Sequence, residues 1–349
     1  MLLFLDQAAD SHADWVEAEC DRRGVPYVRL CTEQFPYTLR LSVGIHQGEL
    51  NGWMHLPTAD IPWANITGVW YRRPGEVTPH PDMDEVYERF ARMEAQETLD
   101  GLYRALWDRR WVSPPHHVRA ANHKIHQLRL AHHVGFQTVP TLVTNDPADA
   151  QAFFEQCGGN MIYKTLRQVP IAYADGEARG IYTTRITHET LEEHLDSICF
   201  IPCLFQQLIP KQYELRVNVI GERVWTTAIY TQENAHTQMD WRPHTDDCRH
   251  APAFLPQQLE AQCITLTRKM GLRMSNIDLI ATPEGDFVFL EINPNGQWAW
   301  IEDVTGLPLA TALVDELLGV DTLANHPYVK DRSLEFEPNT AIKQLNADQ

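Results

Sequence analysis

The sequence predicts an α/β (α+β) protein built from consecutive units. Three observations carry that reading. The chain opens with a strand–helix–strand pattern, which favours a small parallel sheet. Two hairpins, near 213–230 and 276–292, each carry one apolar face and one polar face. Stretches with apolar residues at helical spacing lie between the strands. At 349 residues there is room for two or three domains and a large core. The composition, 44% hydrophobic and 22% charged, is that of a soluble globular chain.

The formal charge of −18 disfavours nucleic acid or an anionic membrane as partner. Any site for a polyanion must therefore gather positive charge locally. The apolar run after Met1 is too short for a signal peptide, and no run reaches transmembrane length. The seven cysteines are scattered and read as free thiols of a cytoplasmic protein.

Residues 2–5 form a short apolar strand. Ser11 caps a helix that runs to about residue 23 and stops at Gly24. Residues 25–30 give a second strand. No Gly-x-Gly-x-x-Gly follows the first, so no dinucleotide site is assigned there. Residues 37–45 and 51–55 pair as a hairpin, and 66–71 form a further strand ending in Arg72-Arg73-Pro74. That double arginine suits a carboxylate or phosphate as well as it suits a solvated strand end. Residues 82–109 carry a long helix with Val86, Phe90, Met93, Leu99, Leu102, Tyr103 and Leu106 as apolar positions. Pro114-Pro115 mark a boundary.

Residues 122–134 form a helix carrying Lys124, with Gly135 as its stop. Six histidines lie between 116 and 133; no cysteine or carboxylate completes a zinc site, and solvated helix histidines explain them. A strand at 139–144 precedes a helix capped by Asp146-Pro147. Residues 161–165 form a strand presenting Lys164. The loop 174–180, with Gly176 and Gly180, follows, and the chain returns along 181–184. Such a loop can fold over phosphates through backbone N–H groups, although many hairpins carry glycine for the turn alone. A short helix at 188–196 and an apolar strand at 204–209 complete this unit.

Residues 213–220 and 223–230 pair across Gly221-Glu222, a glycine-first turn. Leu215, Val217 and Val219 share one face; Glu214, Arg216 and Asn218 share the other. Arg216 either pairs with Glu214 or Asp278, or grips a transferring phosphoryl group. The segment 240–242 is polar and irregular, and 256–272 is an amphipathic helix. Residues beyond about 325 are polar and expected to cover the surface loosely.

The last hairpin joins 277–281 to 287–292 through a turn in which Gly285 supplies a positive φ. With Glu284-Gly285 at its centre, Thr282 faces Phe287, Ile280 faces Phe289, and Asp278 faces Glu291. Ile277, Leu279, Ala281, Val288, Leu290 and Ile292 then form an apolar face. The opposite face carries Asp278, Ile280, Phe289, Glu291 and Asn293. Two directly opposed carboxylates repel. A cation between them removes the conflict, and Asp, Glu and Asn are oxygen ligands that suit Mg²⁺. An arginine neutralising the pair, or a different loop length, explains the pattern without a metal.

Taken in order, Lys124, Lys164 before a glycine loop, Phe205-Gln-Gln207, Glu214-Leu-Arg216, Asp278 and Glu291-Ile-Asn293 resemble an ATP-grasp ligase over roughly residues 115–325. The stretches Val69-Trp-Tyr-Arg-Arg-Pro74, Tyr213-Glu-Leu-Arg-Val217, Asp240-Trp-Arg242 and Glu291-Ile-Asn-Pro-Asn-Gly-Gln-Trp298 are similar to the microviridin and graspetide maturation branch. Those enzymes join Asp or Glu side chains of ribosomal precursor peptides to Ser/Thr hydroxyls or Lys amines.

The resemblance implies a pre-ATP-grasp α/β domain at 1–115, a central and lid subdomain at 116–205, a catalytic subdomain at 206–325 and a tail at 326–349. It implies that Asp278, Glu291 and Asn293 hold Mg²⁺. Lys124 and Lys164 would contact the phosphates of ATP, under a lid containing Gly176 and Gly180. Gln206, Gln207 and Leu208 would line the adenine pocket; relatives often carry Glu at the position of Gln207. Arg216 and Arg242 would stabilise the phosphoryl group and the acyl phosphate. The implied partner is a precursor peptide, leader plus core, in a monomer or a homodimer. A ligase acting on free amino acids or adding glutamate to a protein terminus shares every one of these residues. A nucleotide-binding regulator without catalysis is the alternative of a different class.

Overall fold

The computed structural model describes residues 1–167, 171–172 and 178–332. Near the N-terminus, β1 (Leu2–Asp6), β2 (Tyr27–Cys31), β6 (Gly68–Tyr71) and β7 (Arg110–Val112) form a parallel sheet in the order β2-β1-β6-β7. Helix α1 (Ser11–Arg23) makes the β1–β2 crossover. Asp10, one residue before the expected Ser11, caps it, and Gly24 closes it at φ 64°. Strands β3 (Arg40–His46), β4 (Glu49–His55) and β5 (Asp60–Pro62) form a separate antiparallel sheet.

Alternation on β1 splits the core in two. Leu3 and Leu5 pack with Leu99, Leu102 and Tyr103 of α2 (Glu85–Ala105). Val86, Phe90 and Met93, at the start of α2, stay exposed and do not join that core. Leu2 and Phe4 pack on the other side with α1 and with two helices near the chain's end, α8 (Ala299–Thr305) and α9 (Leu309–Leu318). The sequence reading contains neither α8 nor α9. Their apolar residues thus seal the first sheet to the last third of the chain.

Pro114-Pro115 do not end in a loop: Pro115 is the first residue of α3 (Pro115–Ala121), a position where its missing N–H costs nothing. The expected helix from 122 starts afresh as α4 (Lys124–Val134), closed by Gly135 at φ 106°. Short β8 (Gln137–Thr138) leads to β9 (Thr141–Thr144). Helix α5 (Pro147–Gln156) has Asp146 accepting from Ala148 N–H, as its Asp-Pro start dictates.

Strands β9, β10 (Met161–Lys164), β13 (Thr184–Ile186) and β14 (Cys203–Gln207) form an antiparallel sheet in the order β13-β10-β14-β9. Between β10 and β13, β11 (Ile171–Ala172) pairs with β12 (Ala178–Arg179). The returning segment at 181–183 is irregular, not a strand, and Gly176 lies outside the described residues. Helix α6 (His188–His194) and α5 cover this sheet.

A six-stranded sheet, ordered β17-β16-β15-β18-β19-β8, carries the two hairpins. Its strands β15 (Tyr213–Ile220), β16 (Arg223–Ile229), β17 (His250–Ala253), β18 (Met274–Ala281) and β19 (Phe287–Asn293) pack one face on α4 and α7 (Gln257–Lys269). Leu215, Val217, Val219, Ile277 and Leu279 fill that face as alternation requires. The first turn has Gly221 at φ 59°, and the second Gly285 at φ 91°.

Two further expectations fail. A bulge between Asp278 and Leu279 changes the register of the last hairpin: Leu279 faces Phe289, Ile280 faces Val288, and Ala281 faces Phe287. Phe289 is therefore buried in the core beside Leu279, while Leu290 turns to the opposite face. The other correction concerns the end of the chain. Helix α10 (Pro327–Lys330) is anchored, because Tyr328 stacks on Trp225 at 5.2 Å and donates its hydroxyl to Ala253 O at 2.6 Å.

Candidate active site

The six-stranded sheet sets three charged residues side by side. In register, Arg216 on β15 faces Asp278 on β18, and Asp278 faces Glu291 on β19. The expected Asp278–Glu291 opposition is present, because the bulge lies on the turn side of that pair. The next row is Asn218, Asn276 and Asn293. These side chains point away from α4 and α7.

Each carboxylate has a cation. Arg216 Nε donates to Asp278 Oδ1 at 2.6 Å, and Lys124 Nζ pairs with Glu291. Of the three partners open to Arg216, the structure selects Asp278; Glu214 instead pairs with Lys211 and accepts from Trp241 Nε1 at 3.2 Å. The Asn293 amide lies between the carboxylates, 3.2 Å from Asp278 Oδ2 and 3.2 Å from Glu291 Oε1. A half-turn of that amide would present its Oδ1 beside the two carboxylates. Two carboxylates and one amide oxygen converging on one side of a sheet are a donor set that fits Mg²⁺.

Burial and the nearby Glu291 push Asp278 up to about 6, with Arg216 opposing. Burial acts on Glu291 in the same sense, but Lys124 and Lys164 hold it well below the usual carboxylate range. Burial also lowers the Lys164 ammonium, against the pull of Glu291.

Lys124, Lys164, Arg216, Arg242, Asp278 and Glu291 line one cavity between the four-stranded and six-stranded sheets. Gln206, Gln207 and Leu208 line it at the crossing from one sheet to the other. Gln206 is buried and donates to Thr141 Oγ1 at 3.0 Å; Leu208 N–H donates to Asn160 O at 2.8 Å. Asn293 adjoins the cavity through its contacts with Asp278 and Glu291. Gly180 is exposed and is not part of this lining; a Cβ added there would first meet the Tyr182 ring, at 3.7 Å.

Arg242 donates from Nε to Asp240 Oδ1 at 2.8 Å, and Asp240 Oδ2 accepts from Thr183 N–H at 3.0 Å. The irregular segments 181–183 and 240–242 therefore close on each other over the cavity. Lys211, Thr183 and Trp241 belong to this lining and were missed as site residues. Lys211 lies three residues before Glu214 in sequence, which is the signal it offers. The Arg72-Arg73 pair divides between the two readings: Arg72 takes a carboxylate of the chain itself, and Arg73 is exposed. Arg72 is buried, ion-paired to Asp10 at 3.2 Å, and donates from Nη1 to Asn295 O at 2.7 Å and Gly296 O at 3.1 Å. Arg73 donates to Asn295 O. Both hold the loop that follows Asn293.

A cation-rich cavity between two sheets, over paired carboxylates on a β-hairpin, suits a polyanion such as a chain of phosphates. The family comparisons make this specific. Residues 2–119 match the MvdD pre-ATP-grasp domain and residues 121–317 match the RimK-like ATP-grasp domain. The chain belongs to the ATP-grasp family, with a RimK-like ATP-grasp domain behind an MvdD pre-ATP-grasp domain, and is an ATP-grasp ligase.

Solved structures agree. The macrocyclase MdnC of Microcystis aeruginosa MRC, bound with precursor peptide MdnA, is 28% identical at a TM-score of 0.81, covering 91% of this chain and 99% of that one. A Chryseobacterium gregarium RiPP-associated ATP-grasp ligase, in complex with ADP and a leader and core peptide, is 27% identical at 0.84, covering 91% and 96%. The macrocyclase MdnB of Microcystis aeruginosa MRC is 31% identical at 0.74, covering 91% and 98%. The resemblance to the microviridin and graspetide branch is thereby borne out. No curated protein sequence matches the chain. Among the described residues, no helix is long and apolar enough to cross a membrane.

Proposed function

We propose that this ligase activates Asp or Glu side-chain carboxylates of a ribosomal precursor peptide and joins them to Ser/Thr hydroxyls or Lys amines, forming ω-ester or ω-amide rings. The row Arg216–Asp278–Glu291 carries the reading, because it puts a guanidinium beside two carboxylates within one cavity that also holds Lys124 and Lys164. A carboxylate is a poor electrophile. Transfer of the γ-phosphoryl group of ATP to a substrate carboxylate oxygen yields ADP and an acyl phosphate. The hydroxyl or amine then attacks the acyl carbon, the carbon–oxygen bond to phosphate breaks, and the nucleophile's proton is released. The net change in the peptide is loss of one water per ring.

In this reading Asp278, Glu291 and Asn293 hold Mg²⁺, which would neutralise charge on the nucleotide phosphates. Lys124 and Lys164 meet the phosphates, Arg216 and Arg242 the phosphoryl group in transfer, and Gln206, Gln207 and Leu208 the adenine. Gly176 and Gly180 belong to its lid. The division at 115, 205 and 325 belongs to the same reading. So do a cytoplasmic location, the absence of nucleic-acid or membrane partners, and a homodimer as the assembly it allows. A test is direct: incubate the full chain with ATP, Mg²⁺ and a synthetic precursor peptide. The expected result is ADP release with stepwise loss of water mass from the peptide. ADP release with a free amino acid and none with any peptide would select the amino-acid ligase instead.

A further inference from the structure

We infer that Gln127 is a positioning residue for the Glu291–Asn293 pair, its side-chain amide standing in for a missing β-strand beside Ile292. The inference rests on the proposed metal role of that pair. Strand β19 is covered on its outer edge by β8 only at Val288 and Phe289. Farther along, Ile292 is fully buried, so its backbone N–H and C=O need partners that water does not supply.

Gln127 supplies both partners. Its Nε2 donates to Ile292 O at 2.8 Å, and its Oε1 accepts from Ile292 N–H at 3.4 Å. The same Nε2 donates to Ala121 O at 2.7 Å, tying the contact to the end of α3. Gln127 is itself 3% exposed and lies three residues after Lys124, on the same face of α4. One helical turn thus carries both the ammonium that pairs with Glu291 and the amide that holds the next peptide unit.

The consequence is geometric. Glu291 and Asn293 flank Ile292, and alternation sends both side chains to the cavity face. A rotation of the Ile292 peptide would move both at once. Outer partners that orient metal ligands typically carry 10–100-fold in metal affinity when removed. Methionine at 127 would keep the length and volume but leave the Ile292 and Ala121 groups without their partner.

The test measures ADP binding to the full chain by calorimetry, at saturating Mg²⁺ and in EDTA. The ratio of the two affinities reports the metal contribution without peptide turnover. Gln127→Met is expected to lower that ratio about 10–100-fold while changing the EDTA affinity by less than about threefold. Gln262→Met is the control. It removes a comparable amide, 3.1 Å from Gly135 O at the far end of α4, and should leave the ratio unchanged. If Gln127→Met does not fold, Gln127→Glu, which keeps an acceptor for Ile292 N–H but supplies no N–H to Ile292 O or Ala121 O, is read in the same assay with the same expectation. A wild-type ratio in the folded Gln127 variant, or an equal fall in Gln262→Met, would overturn the inference. No Mg²⁺ enhancement in the wild-type protein would instead overturn the metal reading beneath it.

Discussion

Two groups of buried charge lie on either side of the loop that follows Asn293, and they differ in what they face. The first, in the N-terminal sheet, comprises Asp6, Asp10, Arg29 and Arg72, with Asp6 fully buried and Arg72 2% exposed. Its cations spend their donors within the protein: Arg29 on Asp14, Gln7 O and Asp10 O, Arg72 on Asp10, Asn295 O and Gly296 O. The second group, Lys124, Lys164, Arg216, Asp278 and Glu291, lines a cavity. Its residues make ion pairs too, but they line a cavity between two sheets. Burial and pairing alone do not mark a catalytic group. In the proposed reading, a surplus of cations turned toward a cavity is what marks the phosphate site.

The largest expected effect sharpens this contrast. Asp278→Asn should lower peptide-dependent ADP formation by about 10²–10³-fold or more, as loss of charge stabilisation at a reacting phosphoryl group does. Arg216 would keep a neutral acceptor, so the thermal midpoint should move by only a few degrees, roughly the shift from 1–2 kcal/mol. Retained turnover with a collapsed midpoint would break the comparison. Next in size is Arg72→Met. Breaking a buried pair by removing one partner typically costs about 3–5 kcal/mol, because Asp10 is left uncompensated. A denaturant titration should show that loss, and turnover per folded molecule should fall less than in Asp278→Asn.

A third effect is one of pH. Burial pushes Asp6 up to about 7, helped by Asp10 and opposed by Gln7 N–H and Arg29. The folded state therefore holds a proton that the unfolded chain releases near the ordinary value of 3.8. The stability linked to Asp6 is full below that value and is lost as pH rises toward 7, with a slope of at most about 1.4 kcal/mol per pH unit. Asp6→Asn should flatten this decline when thermal midpoints are compared between pH 4.5 and 7.5. An unchanged slope would show that Asp6 stays ionised throughout.

Much of the site was legible because β alternation is local. The order of polar residues on 276–293 put Asp278, Glu291 and Asn293 on one face, and that on 213–220 put Arg216 with Glu214 and Asn218; the pairing of β15 with β18 joined the two sets. Lys164 was legible as a strand residue before a glycine loop. Gln127 was not, since an isolated glutamine in an amphipathic helix has no periodic signature. Arg72 was half-legible: its charge was evident, but its targets are carbonyls more than two hundred residues away. The bulge that exchanged Phe289 and Leu290 between faces leaves no mark in an unbroken apolar run.

The sequence by itself therefore determined the opening strand–helix–strand unit, the alternation along the two hairpins, and the turns at Gly221 and Gly285. Those follow from backbone periodicity and from φ values that glycine adopts without strain. Tertiary structure decided the rest. It set Arg216 beside Asp278 and not Glu214, brought α8 and α9 against the first sheet, and buried Tyr328 under Trp225. Each of these pairs residues far apart in the chain, where competing partners of like chemistry exist. Only packing, which weighs all the competing contacts at once, selects among them.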